Sequence, residues 1–397
     1  MTFLPGHIRA SLAAGLRDLT TRPTAQVPGL DALRTLAVVL VVGAHYATTW
    51  REAHGPPVAP LANPFFGYGW SGVDLFFVLS GFLIGGQLWK ELRRTGDVRV
   101  GRFLLRRGFR IWPLYFLFVG IALCVKVGTG SGPIGAPVWS AWPDITFTSN
   151  YFAERGVLEV GWSLATEEQF YLLVPLLILV LRKRVTMTRW PFVMLALVAC
   201  VVAARAITNA TLSSKGMTPD MIGGYMYTPF HLRSEGLFAG VLIAILALVM
   251  PTRFATRRGF SWAGAAMVGI AIVAATILRW ADPTVFAFTT VTLVYASAVL
   301  FVLWDGSWVS TMLSARVFYP LSRLSYGMYL NHLYVVRLAG EPITTAASGP
   351  SGHGTAVFLG GFVVVVLSSC ALAVVTFLAV ERPFLLWRER YLGRAPG

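Results

Sequence analysis

Charged residues are scarce in this chain. Asp, Glu, Lys and Arg make up 13% of its 397 residues, whereas 56% of the residues are hydrophobic. A soluble domain is typically about 45–50% apolar and about 25% charged. The shortage of charge, together with repeated apolar runs of nearly twenty residues, excludes an ordinary soluble domain. It predicts an all-α polytopic membrane protein.

Cysteine is also rare. Cys124, Cys200 and Cys370 all fall within apolar runs, and no two of them have the spacing of a metal site or a redox motif. We interpret them as packing residues and expect no metal centre. We also expect no secretory signal peptide, because the first long apolar run lacks a small-residue cleavage site and further runs follow it.

The charge that is present is mostly positive. The formal net charge is +15 and the isoelectric point is about 10.2. In a soluble protein this charge would indicate nucleic-acid binding, but here the basic residues fall mainly in alternate short loops between apolar runs. Membrane topology therefore accounts for them, and we expect no nucleic-acid partner. By the positive-inside rule, both termini are predicted to be cytoplasmic.

About ten segments are predicted to cross the bilayer. They lie at residues 30–49, 70–89, 109–126, 161–181, 190–208, 235–250, 260–278, 285–304, 317–337 and 357–380. The predicted organisation is a cytoplasmic segment 1–28, a transmembrane domain 29–385 and a basic cytoplasmic tail 386–397. The long loops at about 127–160 and 209–234 are then external. No internal repeat of the kind found in many transporters is visible.

The first apolar run carries two basic side chains at a suggestive spacing. Arg34 and His45 are eleven positions apart, which on a helix is a rise of about 16 Å and a return to nearly the same face. Ionisable groups within a membrane span are costly and by default indicate a functional site. Two other interpretations stay open, in which Arg34 is an interfacial anchor and His45 a hydrogen-bonded packing residue.

Several polar residues fall at the depth of His45 in the outer half of the predicted bundle. They are Asp74 in the second span, Trp162, Ser163 and Glu167 in the fourth, and Arg233 and Glu235 at the sixth. A histidine with carboxylates at one depth is what a general base and its orienting acid require. His332 in the ninth span is a second candidate base. Trp162 is also explained as a residue of the interfacial aromatic belt.

Arginines gather on the opposite side. Arg107 and Arg110 are three positions apart, hence on one face of the third helix, and Arg34 lies at a similar depth. Paired guanidinium groups suit phosphate recognition. Ordinary positive-inside anchoring is the alternative, and for Arg106 it is the preferred one.

The motifs resemble those of the acyltransferase-3 family of bacterial membrane acyltransferases. The resemblance covers about residues 29–385, with the elements in the order of the family. They read GLDALRTLAVVLVVGAH, GVDLFFVLSGFLI, RRGFRIWPLY, WSLATEEQFYLLVP, RSEGLFAG, LSYGMYLNH and ERP. Members acetylate O-antigens, peptidoglycan, exopolysaccharides, nodulation factors and macrolides. Some members carry a C-terminal esterase-like domain, which we expect this chain to lack.

The resemblance implies roles for particular residues. His45 matches the essential histidine and Arg34 the arginine of the same motif. Arg107 and Arg110 match an Arg-x-x-Arg motif that engages acyl-CoA from the cytoplasm. Trp162, Ser163 and Glu167 match a Trp-Ser-Leu-x-x-Glu motif. Asp74 matches the aspartate of the second helix, and Glu235 stands where many relatives have Asp or Glu.

The resulting hypothesis is an O-acyltransferase of the bacterial cytoplasmic membrane. It would move an acyl group, with acetyl-CoA as the expected donor, to a hydroxyl of a saccharide or a glycosylated natural product. His45 would act as a general base oriented by Asp74 or Glu167, or it would carry the acyl group covalently. A transporter or flippase for a lipid-linked sugar or small metabolite is the alternative function. The sequence leaves the acceptor, the acyl chain length and the oligomeric state undetermined.

Overall fold

The computed structural model describes residues 6–22, 27–55, 62–129, 139–152, 156–250, 282–304, 308–346 and 354–393, with four isolated residues between 269 and 276. Within these ranges the chain is helical and forms no strand, which confirms the all-α prediction. The helices are α1 (Gly6–Thr20), α2 (Gly29–His54), α3 (Ala62–Gly67), α4 (Gly72–Thr95), α5 (Val100–Gly128), α6 (Trp142–Ile145), α7 (Gly161–Leu181), α8 (Trp190–Ser214), α9 (Pro219–Met226), α10 (Phe230–Arg233), α11 (Glu235–Val249), α12 (Pro283–Trp304), α13 (Trp308–Leu313), α14 (Phe318–Val335), α15 (Glu341–Ala346), α16 (Gly354–Thr376) and α17 (Arg382–Leu392).

Seven of the described helical segments are long and apolar enough to cross a membrane. They are Gly29–His54, Gly69–Thr95, Val100–Gly128, Gly161–Leu181, Trp190–Ser214, Thr284–Leu303 and Gly354–Leu392. The predicted spans 235–250 and 317–337 are helical as well, as α11 and α14, but α11 is shorter than a membrane span and α14 is not among the seven. The predicted span 260–278 lies outside the described residues, except for four isolated positions. The chain is therefore a multi-pass membrane protein, and the count of ten spans and the side on which the termini lie stay predictions.

Two helices extend well beyond their predicted apolar spans. Helix α5 begins at Val100, nine positions before the predicted span at 109, so the arginines preceding that span are helical rather than in a loop. Arginine and leucine are good helix formers, and no proline lies between Val100 and Phe109. The last span likewise continues through a π-helical turn, Phe377–Glu381, into α17. Hydropathy marks where a helix is apolar and not where its hydrogen bonds end.

The chain divides into two compact units. Unit 1 consists of Met1–Val73, Arg106–Phe118 and Met312–Gly397, and unit 2 of Asp74–Leu105 and Val119–Thr311. In unit 1, α14 packs against both α2 and α16. In unit 2, α11 packs against α8 and α12.

Within unit 1, α2 and α14 lie side by side and parallel. Near their N-termini, the Thr35 hydroxyl donates a hydrogen bond of 3.4 Å to the carbonyl oxygen of Phe318. Towards their C-terminal ends, the ring of His45 contacts that of His332. The two contacts occur in the same order along both helices, so α2 and α14 point in the same direction.

Close packing around Tyr46 fixes this region of unit 1. The Tyr46 ring is fully buried and stacks on Phe358, with ring centroids 5.3 Å apart. A Cβ added at Gly361 of α16 would overlap the Tyr46 hydroxyl oxygen, and one added at Gly340 would lie 3.3 Å from the Tyr46 ring. Gly340 ends a π-helical turn, Val336–Gly340, that continues α14. Only glycine fits at 361 without moving the residue next to His45.

Candidate active site

Two histidines of unit 1 form a contacting pair, which we call the histidine pair. The ring centroids of His45 and His332 are 5.0 Å apart and the ring planes are inclined by 48°. The His45 side chain is accessible, although Tyr46 beside it is buried. His332 is completely buried, with 0% of its surface exposed. One imidazole of the pair can therefore reach a substrate, and the other lies behind it.

The protonation of His332 follows from its hydrogen bond. Its Nδ1 lies 2.7 Å from the carbonyl oxygen of Tyr329, one turn earlier in α14. A carbonyl oxygen only accepts hydrogen bonds, so Nδ1 carries the proton. In the neutral ring Nε2 then holds a lone pair, and among the described residues this buried atom meets no hydrogen-bond partner. His332 thus presents an unused proton acceptor within unit 1.

Three arginines of unit 1 interact with a fourth, Arg110, and we call the four the arginine cluster. Arg110 of α5 interacts electrostatically with Arg34 of α2, Arg323 of α14 and Arg107, and with the carboxylate of Glu381. Glu381 is 7% exposed. Asp31, which forms an ion pair with Arg22, also interacts with Arg34. Four guanidinium groups outnumber these two carboxylates, so the cluster keeps a positive charge that suits an anion. The structure thereby brings together the three arginines that the sequence predicted and adds Arg323.

The arginine cluster and the histidine pair occupy successive levels of the same two helices. In α2, Arg34 precedes His45 by eleven residues, a rise of about 16 Å. In α14, Arg323 precedes His332 by nine residues, a rise of about 14 Å. Because the helices are parallel neighbours, both arginines lie towards one end and both histidines towards the other.

In unit 2, Asp74 and Arg233 form a buried ion pair. Nη1 of Arg233 lies 3.0 Å from Oδ1 of Asp74, and the two side chains are 0% and 3% exposed. The guanidinium group also stacks 3.7 Å from the centroid of the Phe288 ring and 5.0 Å from that of Tyr227. Burial raises the pKa of Tyr227 to about 12, so this ring is a neutral phenol. Asp74 is thus a carboxylate with a fixed cationic partner.

A second buried ion pair joins Arg205 of α8 to Glu235 of α11. Nη1 donates to Oε1 at 2.7 Å and Nη2 to Oε2 at 2.6 Å, which is a bidentate geometry. The hydroxyl of Thr289 in α12 donates to the same Oε2 at 3.0 Å. The pair therefore links the three helices that pack together in unit 2.

The Trp-Ser-Leu segment at the start of α7 is also well ordered by contacts inside unit 2. Oε2 of Glu167 accepts a hydrogen bond of 2.8 Å from the hydroxyl of Tyr171, which lies four residues later on the same helix face. The Ser163 hydroxyl donates to the carbonyl oxygen of Val160 at 3.1 Å. The Trp162 ring contacts Tyr227, with centroids 5.0 Å apart.

The predicted site residues divide between the two units. Unit 1 holds Arg34, His45, Arg107, Arg110 and His332, and unit 2 holds Asp74, Trp162, Ser163, Glu167, Arg233 and Glu235. The role of Asp74 or Glu167 in orienting His45 stays a prediction. Among the described residues, no group of three or more metal-binding side chains occurs. Arg205 and Arg323 were not among the predicted site residues, although an arginine inside an apolar run is a sequence signal that marks both.

Comparisons with known proteins give matches that cover most of the chain. Residues 27–375 match a protein-family model described as an acyltransferase domain. The peptidoglycan O-acetyltransferase OatA of Listeria monocytogenes is 25% identical over 332 residues, which cover 79% of this chain and 50% of that protein. The putative peptidoglycan O-acetyltransferase YrhL of Bacillus subtilis is 26% identical over 383 residues, covering 90% of this chain and 54% of that protein. This chain therefore spans about half the length of these relatives. No solved structure shows a significant match.

Proposed function

This chain belongs to the acyltransferase-3 family, and from that premise we propose that it is a membrane O-acetyltransferase that moves an acetyl group from cytoplasmic acetyl-CoA to a hydroxyl of a saccharide. The observation that carries the proposal is the parallel arrangement of α2 and α14. Each helix supplies an arginine to one cluster and a histidine to one pair. Anion binding and acyl transfer would then occupy two levels of one pair of helices.

The arginine cluster supports a phosphate-bearing donor. Coenzyme A carries three phosphate groups on its nucleotide end and a thioester at the end of a flexible arm. Guanidinium groups bind phosphate through charge-assisted, often bidentate hydrogen bonds. With the phosphates at Arg110 and its neighbours, the arm would run along α2 towards His45, over the rise of about 16 Å between Arg34 and His45.

At the far end of the arm, His45 is the accessible base. It would take the proton of the acceptor hydroxyl while the hydroxyl oxygen attacks the thioester carbonyl carbon. Collapse of the tetrahedral intermediate breaks the carbon–sulfur bond, and the leaving thiolate takes the proton from His45 to give free coenzyme A and an acetyl ester. In the competing mechanism, His45 itself attacks the thioester and then passes the acetyl group to the hydroxyl.

The acceptor is proposed to be a cell-surface saccharide. Two relatives are named as a peptidoglycan O-acetyltransferase and a putative one, which favours a peptidoglycan sugar over a macrolide. The proposed location is the bacterial cytoplasmic membrane, where coenzyme A is available on one side and the surface saccharide on the other.

The test uses the full chain in lipid nanodiscs with acetyl-CoA labelled in the acetyl group. Acetylated product is measured by mass spectrometry on a panel of peptidoglycan fragments and other saccharides. We expect product from the wild-type chain and at least about 10²-fold less from His45→Ala. The control is His54→Ala, which removes another histidine of α2, one that stacks on Trp50 instead.

Two outcomes would contradict the proposal. Full activity of His45→Ala would exclude both mechanisms at that residue. Movement of a saccharide across sealed vesicles without any acetylated product would instead favour the transporter alternative. Labelled acetyl-CoA supplied without acceptor separates the two mechanisms, because only the covalent one leaves a labelled histidine in the peptide that contains His45.

A further inference from the structure

We propose that His332 is a positioning residue that acts through His45, so that the two imidazoles share one transferable proton. The inference rests on the proposed function, in which His45 handles the proton of the acceptor. It gives His45 a partner within unit 1. It also gives a role to the buried His332, which the acyl-transfer chemistry otherwise leaves unused.

The first support is the fixed tautomer of His332. The Tyr329 carbonyl holds the proton on Nδ1, which leaves Nε2 as an acceptor. Within the described residues this buried Nε2 has no hydrogen-bond partner. A buried polar atom without a partner costs free energy, so such atoms call for an explanation in a folded chain. A partner that arrives during catalysis is such an explanation.

The second support is the distance to His45. A hydrogen bond of about 3 Å between two imidazoles places their ring centroids about 5 Å apart. The observed separation is 5.0 Å, which is the separation that such a hydrogen bond requires. Catalytic hydrogen bonds are often poorly aligned without substrate and tighten when it binds.

The third support is the order of accessibility. His45 is accessible and His332 is completely buried, so the substrate meets His45 first. One nitrogen of His45 then faces the acceptor hydroxyl and the other faces Nε2 of His332. This is the geometry that an orienting partner needs, since it selects the His45 tautomer whose lone pair points at the substrate.

The described groups around this pair come from α2, α14 and α16. His45 of α2 is the charge that acts on His332, and on its own helix the Tyr329 ring lies 5.7 Å from it, between ring centroids. From α16, the carbonyl oxygen of Ser369 accepts a hydrogen bond of 3.0 Å from the Asn331 amide, next to His332. Two imidazolium ions in contact repel each other, so the pair holds a single added proton.

The proton balance follows directly. When the acceptor oxygen attacks the thioester, its proton moves to the free nitrogen of His45. The resulting imidazolium is stabilised by its second N–H, which donates to Nε2 of His332. When the carbon–sulfur bond breaks, the proton leaves on the thiol of coenzyme A, and both histidines return to their starting forms.

The test compares His332→Gln with the wild type in nanodiscs, using acetyl-CoA and the best saccharide acceptor. We expect kcat to fall by about 10²-fold with little change in KM for acetyl-CoA. The acidic limb of the pH–rate profile, where protonation of His45 removes the base, should move to lower pH because the imidazolium loses its acceptor. Added imidazole should restore part of the activity of His332→Ala. The control is Asn331→Leu, which breaks the bond to Ser369 and leaves the pair intact, so that its pH–rate profile should match the wild type.

The outcomes separate this inference from the proposed function. If His45→Ala is inactive and His332→Gln keeps its kcat within about twofold, the inference is wrong and the proposed function stands. If His332→Gln loses activity with an unchanged pH–rate profile, the residue is only structural and the inference is again wrong. If the variants do not fold, ¹⁵N NMR of the wild-type histidines decides, because a proton on Nε2 of neutral His332 would overturn the assignment.

Discussion

Removing the carboxylate of Glu235 should strongly destabilise unit 2. Glu235 and Arg205 are 1% and 0% exposed, and their bidentate contact is reinforced by Thr289. The Glu235→Ala variant leaves a buried guanidinium group without its counter-charge. Breaking a buried ion pair in this way typically costs about 3–5 kcal/mol.

The same reasoning makes a sharper prediction for the double variant. Replacing both charges by apolar side chains of similar size is often close to neutral, because neither charge then has to be desolvated. We therefore expect Arg205→Met with Glu235→Leu to be clearly more stable than Glu235→Ala. A double-mutant cycle between positions 205 and 235 measures the coupling energy.

The assay is thermal unfolding in detergent, followed by size exclusion with fluorescence detection. At about 2–4 °C per kcal/mol, the Glu235→Ala variant should melt at least about 6 °C below the wild type. The control is Arg182→Gln, which removes an ion pair with Asp97 whose partners are 23% and 56% exposed. An exposed pair is worth about 0–1 kcal/mol, so this variant should melt close to the wild type. Equal melting temperatures for Glu235→Ala and Arg182→Gln would refute the reasoning.

Two further substitutions test unit 1. Arg323→Gln should raise KM for acetyl-CoA by about tenfold or more, since a hydrogen bond to a charged group contributes about 1.5–3 kcal/mol. The control is Arg337→Gln, which changes an exposed arginine of unit 1. An unchanged KM for Arg323→Gln would show that Arg323 does not bind the donor. Gly361→Ala should lower stability by about 1–3 kcal/mol in the same thermal assay, because the added methyl group overlaps the Tyr46 hydroxyl. At Gly360 a Cβ meets nothing within 4 Å, so Gly360→Ala should be neutral or stabilising, and equal effects at the two glycines would contradict the packing argument.

Helix content and the main polar positions could be predicted because both are local properties of the sequence. The apolar run from Gly29 predicts a helix, and the spacing of Arg34 and His45 predicts two levels on its face. The length of α5 was underestimated because its first turns are basic rather than apolar. Backbone hydrogen bonding does not require an apolar surface.

The pairing of residues from distant parts of the chain could not be predicted in this way. Asp74 and Arg233 are 159 positions apart, and Arg205 and Glu235 are 30 apart. Depth in the membrane limits which groups can meet, but several carboxylates and arginines share each depth. Which of them meet depends on how helices pack, and a single sequence does not contain that information. Arg323 illustrates both points, because its place inside an apolar run marks it as a candidate, whereas only its neighbour Arg110 on α5 shows which site it joins.

The π-helical turn at Phe377–Glu381 has a consequence for how relatives of this chain should be aligned. A π turn is equivalent to one residue inserted into an α-helix, and it rotates everything that follows by about 100°. Glu381 lies in this turn and supplies the carboxylate that faces Arg110 and Arg323. Deleting a single residue here would keep a continuous helix while turning that carboxylate away from the arginines. A one-residue gap at this place in an alignment is therefore equivalent, for the arginine cluster, to the loss of a negative charge, even though every acidic residue is still present.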